Sequence, residues 1–143
     1  MSEEKMNVLL VKPRMYPQQV QIGMELEDLQ KTVGGHIEVV YPFEDLVGII
    51  VNEEGKLIGS EPNRGLYMEN GTLYDILVGD FLVVGLSEDN FTSLSPELMK
   101  KYEERFHRPE LFMSIGENVM IIPLSNEQVK KPDPSVKTGC SKN

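Results

Sequence analysis

The sequence predicts an α+β fold, in which one domain contains a curved, mainly antiparallel sheet of about five to seven strands and two helices. The chain has 143 residues, 40% of them hydrophobic, which suits one domain with one interior. Short segments rich in β-branched residues recur between Gly, Pro and Asn, as strands joined by turns do. Two segments carry apolar residues three or four positions apart, the spacing of amphipathic helices.

An antiparallel hairpin is predicted at the start of the chain. Residues 7–12 (NVLLVK) form a short apolar run that ends at Pro13. Residues 18–22 then alternate polar and apolar side chains, which is typical of a strand with one solvated face. The turn-like sequence between them joins the two strands.

The first helix is predicted to end at a pair of glycines. Leu26, Leu29 and Val33 recur at helical spacing, and Gly34 and Gly35 follow directly. Glycine after the last periodic residue favours a left-handed helix end. A phosphate cradle would instead place the glycines before a helix, where N–H groups are free. We therefore interpret the pair as a helix stop, with a ligand-contacting loop as the alternative.

Two strands and a return strand are predicted after this helix. Residues 36–41 (HIEVVY) indicate an interior strand. Residues 47–51 (VGIIV) indicate a second one, and the turn at 52–56 (NEEGK) has hairpin length. Leu57 and Ile58 would then begin the return strand.

The next segment contains a loop, a hairpin turn and a strand. Asn63 and Arg64 lie between Pro and Gly, which favours a loop. Asn70-Gly71 is a strong hairpin-turn signal. Residues 80–85 (DFLVVG) predict an apolar strand that is bounded by Gly79 and Gly85.

A second helix and a polar tail complete the chain. Ser95-Pro96-Glu97 supplies a capping hydroxyl, a first-turn proline and a first-turn acid. Residues 119–122 predict a final strand. Residues 1–125 are thus expected to form the globular domain, and residues 126–143, which include the single cysteine Cys140, a disordered polar tail.

The charge distribution disfavours direct nucleic-acid binding. The formal net charge is −9, and residues 1–129 hold 22 of the 23 acidic side chains but 10 of the 14 basic ones. Binding to a nucleic-acid backbone depends on cations that displace condensed counterions. A host protein with a basic surface is therefore the expected kind of partner.

The N-terminal sequence and the cysteine count indicate the cellular location and the redox environment of the protein. The first residues, MSEEKMN, lack the basic start and apolar run of a signal peptide, and no segment has the length of a membrane span. One cysteine cannot form an internal disulfide. We expect a cytoplasmic protein with no membrane contact, no metal site and no cofactor.

Several sequence words occur in an order that resembles a known family. The words are VGGHIEVVYPF, VNEEGKLIG, PNRGL, GDFLVVG and FTSLSPELMKKYEERF. In order and spacing they resemble a bacterial and phage family catalogued only as a domain of unknown function. The resemblance covers residues 7–123 and implies an association with phages, plasmids and other mobile elements. It implies no catalytic residues.

Four residues are candidates for ligand binding. His36 and Glu38 share one face of a predicted strand, and a histidine near a carboxylate is a simple acid/base pair. The alternative is a solvated polar pair with no function. Asn63 and Arg64 combine an amide with a planar guanidinium, which can bind a phosphate or carboxylate bidentately. The alternative is an arginine that holds a carboxylate of the protein itself.

Three pairs of acidic residues fall in predicted loops between strands. They are Glu44 and Asp45, Glu53 and Glu54, and Glu88 and Asp89. If these loops gather on one side, their carboxylates would imitate a nucleic-acid backbone and block a basic groove. The alternative is a set of solvated loops that only confer solubility.

These patterns lead to three functional hypotheses. The first is a non-enzymatic, acidic, protein-binding inhibitor encoded by a phage or other mobile element, which acts against a host restriction or CRISPR nuclease. The second is a protein that binds or sequesters a nucleotide or another anionic metabolite. The third is an enzyme that uses His36 and Glu38.

Overall fold

The computed structural model describes residues 4–131. In chain order these residues form β1 (Lys5–Val11), β2 (Gln18–Gly23), α1 (Leu26–Val33), β3 (Ile37–Val40), β4 (Val47–Asn52), β5 (Pro62–Tyr67), β6 (Leu73–Val78), β7 (Phe81–Leu86), β8 (Phe91–Thr92), α2 (Pro96–Arg105), β9 (Glu110–Ile115) and β10 (Asn118–Pro123). A short 3-10 turn follows at Asn126–Gln128. The predicted α+β class with two helices is confirmed.

A central sheet organises the molecule. Its strand order is β2-β1-β7-β4-β3, and β8 pairs with the end of β7, so six strands belong to it. All of these pairs are antiparallel. Strand β7 lies in the middle because its sequence, FLVVGL, contains no polar side chain and can be covered on both faces. Strands β5–β6 and β9–β10 form two separate hairpins.

The two faces of the central sheet are covered by different elements. Phe81 and Val83 of β7 point into a core that includes Met99, Tyr102 and Phe106 at α2 and also side chains of the β5–β6 hairpin. Leu82 and Val84 alternate to the opposite face, where α1 covers them. The fold therefore forms one compact domain with α1 on one face of the sheet and α2 with β5–β6 on the other.

The end of α1 and the start of α2 lie where the sequence predicts them. Gly34 ends α1 in a left-handed conformation, with φ at 87°, and its N–H donates to the carbonyl of Gln30. The helix-stop interpretation is confirmed. At α2 the hydroxyl of Ser95 accepts a hydrogen bond from the N–H of Leu98, and Pro96 occupies the first turn.

Two expectations for the middle of the chain are wrong. Strand β3 is not interior but lies at an edge of the sheet, paired with β4 alone among the described strands. Leu57 and Ile58 do not begin a return strand. They lie in a turn with 86% and 63% of their surface exposed, because the chain leaves the central sheet here to form the β5–β6 hairpin.

The end of the domain also differs from expectation. Strand β9 was not predicted, and it pairs with β10, which extends the final strand predicted at 119–122. Residues 126–130, which were expected to belong to the tail, contact the domain. Val129 is buried, and the N–H of Lys130 donates to the carbonyl of Arg14 at 2.6 Å. Residues 132–143, with Cys140, lie outside the described residues, among which no helix is long and apolar enough to cross a membrane.

Candidate functional site

Two of the predicted acidic loops lie at the same end of the central sheet. Strands β4 and β7 are antiparallel, with Val47 at the start of β4 opposite Gly85 near the end of β7. The loop before β4, which carries Glu44 and Asp45, therefore lies at the same sheet end as the β7–β8 turn, which carries Glu88 and Asp89. The N–H of Leu86 donates to the carbonyl of Leu46 and joins the two loops.

Carboxylates outside the predicted acidic loops also lie at this end of the central sheet. Glu4, Glu25, Glu27 and Asp28 line an open groove of about 900 Å³, together with Lys5 and Asn90, the residue after Asp89. Three of these acids lie at the start of α1, where negative charge suits the helix dipole. The carboxylate of Asp28 accepts a hydrogen bond from the N–H of Glu25 and closes the first turn.

We name this region the acidic end. It consists of Glu4, Glu25, Glu27, Asp28, Glu44, Glu88 and Asp89. The acids of α1 and Glu4 were not among the predicted partner-binding residues. For the α1 acids the signal in the sequence was their concentration at the predicted start of the first helix, which is a common capping feature, whereas Glu4 lies outside that segment.

Asp45 lies near the acidic end but is held by internal contacts. Its Oδ2 lies 2.6 Å from the Lys101 Nζ and accepts a hydrogen bond of 2.7 Å from the Tyr102 hydroxyl. These two hydrogen bonds, with Lys101 first, lower the pKa of Asp45 below its usual value. Burial, reinforced by Asp45, raises the pKa of Tyr102. Asp45 thus fixes the β3–β4 loop to α2.

Glu53 and Glu54 lie at the opposite end of the sheet. They follow the last residue of β4, and a strand of six residues is about 20 Å long. Cations accompany them at this end, including Arg14, which pairs with Glu61 at 2.8 Å, and Lys56, which pairs with Asp75 at 2.7 Å. The six predicted acidic residues therefore do not converge: two of the three pairs share one end.

His36 and Glu38 lie on the exposed edge of the sheet. Both side chains are exposed, and the alternation of the strand places them on one face. Glu38 lines a cavity of about 230 Å³ with Lys56 and Asp75. His36 is not among the residues that line this cavity, and its carbonyl accepts a hydrogen bond from the N–H of Glu53.

Asn63 and Arg64 do not lie in a loop but in β5, and both are buried, with 0% and 2% of their surface exposed. The amide Nδ2 of Asn63 donates to the carbonyls of Val11 at 3.0 Å and Gly79 at 2.7 Å. Asn63, which lies in β5, therefore links the last residue of β1 to the segment just before β7. The register of the β5–β6 hairpin shifts between Pro62 and Arg64, as in a β-bulge.

The guanidinium of Arg64 binds oxygens of three segments. Its Nε donates to the carbonyl of Phe106 at 2.9 Å, its Nη2 to the carbonyl of Met15 at 2.7 Å, and its Nη1 to the Asn63 Oδ1 at 2.8 Å. Burial lowers the pKa of Arg64 to about 10, and the charge of Glu110 opposes this shift. The acceptors are oxygens of the protein, as the alternative interpretation expected, but they are carbonyls and an amide rather than a carboxylate.

Glu110 organises the region around this arginine. Its Oε1 accepts from the N–H of Gly65 at 2.9 Å, and its Oε2 accepts from the Tyr67 hydroxyl at 3.0 Å. Burial, and then the hydrogen bond to Glu110, raises the pKa of Tyr67 to about 12. These contacts attach the base of β9 to β5.

A cavity of about 390 Å³ opens beside Arg64. Three arginines line it, namely Arg64, Arg105 and Arg108, together with Glu69 and Glu110. Arg105 and Arg108 are exposed, whereas Arg64 is buried in the wall. We name this the arginine cavity. Of the four predicted ligand-binding residues, it contains Arg64 but neither His36, Glu38 nor Asn63.

Within residues 4–131 no group of three or more His, Cys, Asp or Glu side chains is placed to hold a metal ion.

Comparisons with known proteins identify a family but no activity. No curated protein and no solved structure matches the chain significantly. Residues 6–107, which run from β1 to just beyond α2, match a family of unknown function, DUF3846. On this match over most of its length, the chain belongs to the family described as a domain of unknown function, DUF3846.

Proposed function

We propose that this protein is a non-enzymatic binding protein that docks its acidic end on the cationic surface of another protein. The observation that carries the proposal is the concentration of carboxylates at one end of the central sheet, where Lys5 is the only cation that lines the shared groove among the described residues. The partner we propose is a host restriction or CRISPR nuclease, and the protein would be its inhibitor, encoded by a phage or other mobile element.

The physical basis is electrostatic complementarity. Charges of one sign that share a surface produce a field that steers a partner of opposite sign and speeds association. Proteins that bind nucleic acid carry grooves of Lys and Arg for the phosphates. Carboxylates of the acidic end would occupy such a groove in place of phosphate groups. At the opposite end of the sheet, Arg14 and Lys56 neutralise Glu61 and Asp75, which weakens this field.

A matched pair of charge reversals tests the proposal. Glu88→Lys with Asp89→Lys changes an exposed acidic loop at the acidic end. Glu53→Lys with Glu54→Lys changes a second exposed acidic loop, at the other end, by the same net charge. Each chain would be used to capture proteins from host lysate, and affinity for the recovered nucleic-acid enzyme would be measured at several salt concentrations.

The two double variants should behave differently. We expect the Glu88/Asp89 reversal to weaken binding at least about tenfold and to reduce its salt dependence, whereas the Glu53/Glu54 reversal should leave affinity within about twofold. Equal losses in both would indicate a response to net charge alone. Recovery of no nucleic-acid enzyme, together with unchanged phage or plasmid success after deletion of the gene, would contradict the proposal.

The arginine cavity supports a second candidate function, the binding of a small anion such as a nucleotide. Two exposed arginines and one buried arginine face a volume that suits a small ligand. Ligand binding to the native state raises the melting temperature by mass action. A nucleotide that stabilises the wild type and the Arg14→Gln control, but not Arg108→Gln, would support this candidate. No stabilisation by any nucleotide at millimolar concentration would exclude it.

A further inference from the structure

A second cavity adjoins the arginine cavity. It has a volume of about 390 Å³ and lies between the β3–β4 loop, α2 and the β5–β6 hairpin. Three tyrosines line it, namely Tyr67, Tyr74 and Tyr102, and we name it the tyrosine cavity. The two cavities share the lining residues Tyr67, Met68, Glu69 and Arg105. They therefore form the two halves of one cleft between α2 and the β5–β6 hairpin.

The two halves of the cleft differ in charge. Three arginines and two glutamates line the arginine cavity, whereas one lysine, one arginine and three acidic residues line the tyrosine cavity. The lysine of the tyrosine cavity, Lys101, is already bound to Asp45 at 2.6 Å. An anionic group is therefore favoured in the arginine cavity, and a neutral group that donates hydrogen bonds is favoured in the tyrosine cavity.

The two exposed arginines of the cleft are available to bind an anion. Among residues 4–131 neither Arg105 nor Arg108 forms a salt bridge. The carboxylate of Glu110 in the same cavity instead accepts two hydrogen bonds from β5. Arg105 is held by the ring of Phe43, whose centroid lies 4.5 Å from the guanidinium carbon. A guanidinium fixed in this way suits bidentate binding of a phosphate.

The tyrosine cavity provides aromatic and apolar surface for a ring. Met68 and Tyr74, both on the β5–β6 hairpin, are exposed over 52% and 47% of their surface. Nucleobases stack on aromatic side chains, and methionine sulfur also packs well against rings. Glu44 and Glu69 supply carboxylate oxygens in the same cavity. Nucleobases carry N–H donors on their edges, and a carboxylate accepts such donors.

We propose that this cleft binds a nucleoside phosphate, with the phosphate in the arginine cavity and the base in the tyrosine cavity beside Tyr74. The inference rests on the second candidate function, the binding of a small anion at the arginine cavity, and adds the class and the orientation of the ligand. The reverse orientation would place the phosphate beside Glu44 and Asp45 and would leave Arg108, which lines the arginine cavity alone, without an anion. Each cavity falls within the range of about 300 to 1,000 Å³ that is usual for ligand pockets.

Ribose 5-phosphate separates the two halves of the cleft because it lacks only the base of a nucleoside 5′-monophosphate. The full chain would be titrated with ribose 5-phosphate and with the monophosphates of adenosine, guanosine, cytidine and uridine by isothermal titration calorimetry. At least one monophosphate should bind about tenfold or more tightly than ribose 5-phosphate, because its base stacks in the tyrosine cavity.

Variants in each half of the cleft should affect different parts of the ligand. Tyr74→Ala and the milder Tyr74→Leu should reduce the affinity for that monophosphate to within about twofold of ribose 5-phosphate, whose own affinity should not change. Arg108→Gln should weaken the binding of both ligands about fivefold or more. Tyr41→Ala is the matched control, because Tyr41 is exposed and lines neither cavity, and it should affect neither ligand. Circular dichroism of each variant confirms the fold.

The outcomes separate this inference from the candidate function on which it rests. Equal affinities for ribose 5-phosphate and the four monophosphates, all weakened by Arg108→Gln, would overturn the inference and still support anion binding at the arginine cavity. A monophosphate affinity that survives both Tyr74 variants would place the base elsewhere and would also overturn the inference. No binding of any probe at millimolar concentration would overturn both the inference and the candidate function.

Discussion

The side chain of Arg64 donates a hydrogen bond of 2.9 Å to the backbone carbonyl of Phe106, the residue that ends α2. The same guanidinium donates to the carbonyl of Met15, in the β1–β2 connection. Arg64 thus joins β5, α2 and the first hairpin through one buried cation. Its positive charge has no carboxylate in direct contact among the described residues, and it is stabilised by these carbonyl dipoles and by the nearby charge of Glu110.

Replacement of this cation should therefore destabilise the fold strongly. Arg64→Met keeps much of the side-chain volume but leaves the carbonyls of Met15 and Phe106 and the Asn63 Oδ1 without their donors. Buried groups that lose their partners cost about 1 to 3 kcal/mol each. We expect the free energy of unfolding in urea to fall by about 3 kcal/mol or more.

Arg108→Met is the matched control, because Arg108 is exposed and lines the same cavity. Its free energy of unfolding should change by about 0.5 kcal/mol or less. Equal losses in the two variants would show that the cavity surface, and not the buried hydrogen bonds of Arg64, determines stability.

The contact of Asp45 with Lys101 and Tyr102 should make stability depend on pH. The pKa of Asp45 in the folded protein is lowered, whereas an unfolded aspartate has a pKa of about 3.9. Its contribution is therefore fully present above about pH 4 and is lost as the pH falls through the folded pKa. The difference in melting temperature between wild type and Asp45→Asn should be largest at neutral pH and should close in acid. Glu44→Gln, at the exposed neighbouring carboxylate, should show no such closing difference.

The cap of α2 should contribute measurably to stability. Ser95→Ala removes the hydroxyl that accepts from the N–H of Leu98 and should lower the free energy of unfolding by about 1 kcal/mol. Ser114→Ala, at an exposed position of β9, should have almost no effect. A loss at Ser114 as large as that at Ser95 would contradict the capping role.

Gly85 should not tolerate a side chain. A Cβ atom built there would lie 2.5 Å from the carbonyl oxygen of Ser93, a backbone atom that cannot rotate away. Gly85→Ala should lower the free energy of unfolding by about 2 kcal/mol because β8 must separate from β7. Gly48→Ala, whose nearest neighbour is a methyl of Val39 at 3.1 Å, should cost less. Reversal of this order in chemical denaturation would argue against the β7–β8 pairing.

Local signals in the sequence predicted the elements whose stability is local. The helix stop at Gly34, the cap at Ser95 and the turn at Asn70-Gly71 all depend on a few adjacent residues, and each lies where it was predicted. The position of a strand within a sheet depends on distant partners. The segment 36–41 therefore predicted a strand correctly but not its place at the edge.

The buried pair Asn63 and Arg64 shows why the site was harder to predict than the fold. Two polar residues between Pro and Gly have the composition of a loop. They form a buried strand because Val11, Gly79, Met15 and Phe106 supply acceptors from other segments. For the acidic end, the sequence identified Glu44, Glu88 and Asp89, but only the sheet register shows that Glu53 and Glu54 lie elsewhere.

The hydrogen bonds of Arg64 also have a consequence for the kinetics of folding. Its acceptors at Met15 and Phe106 lie 49 and 42 residues away along the chain, so the guanidinium does not gain these hydrogen bonds in place of water until β5 and two remote segments have assembled. This network is expected to form after the rate-limiting transition state, with a φ-value near zero. Substitution of Arg64 should then accelerate unfolding while leaving the refolding rate almost unchanged, which makes this cation a determinant of the native lifetime.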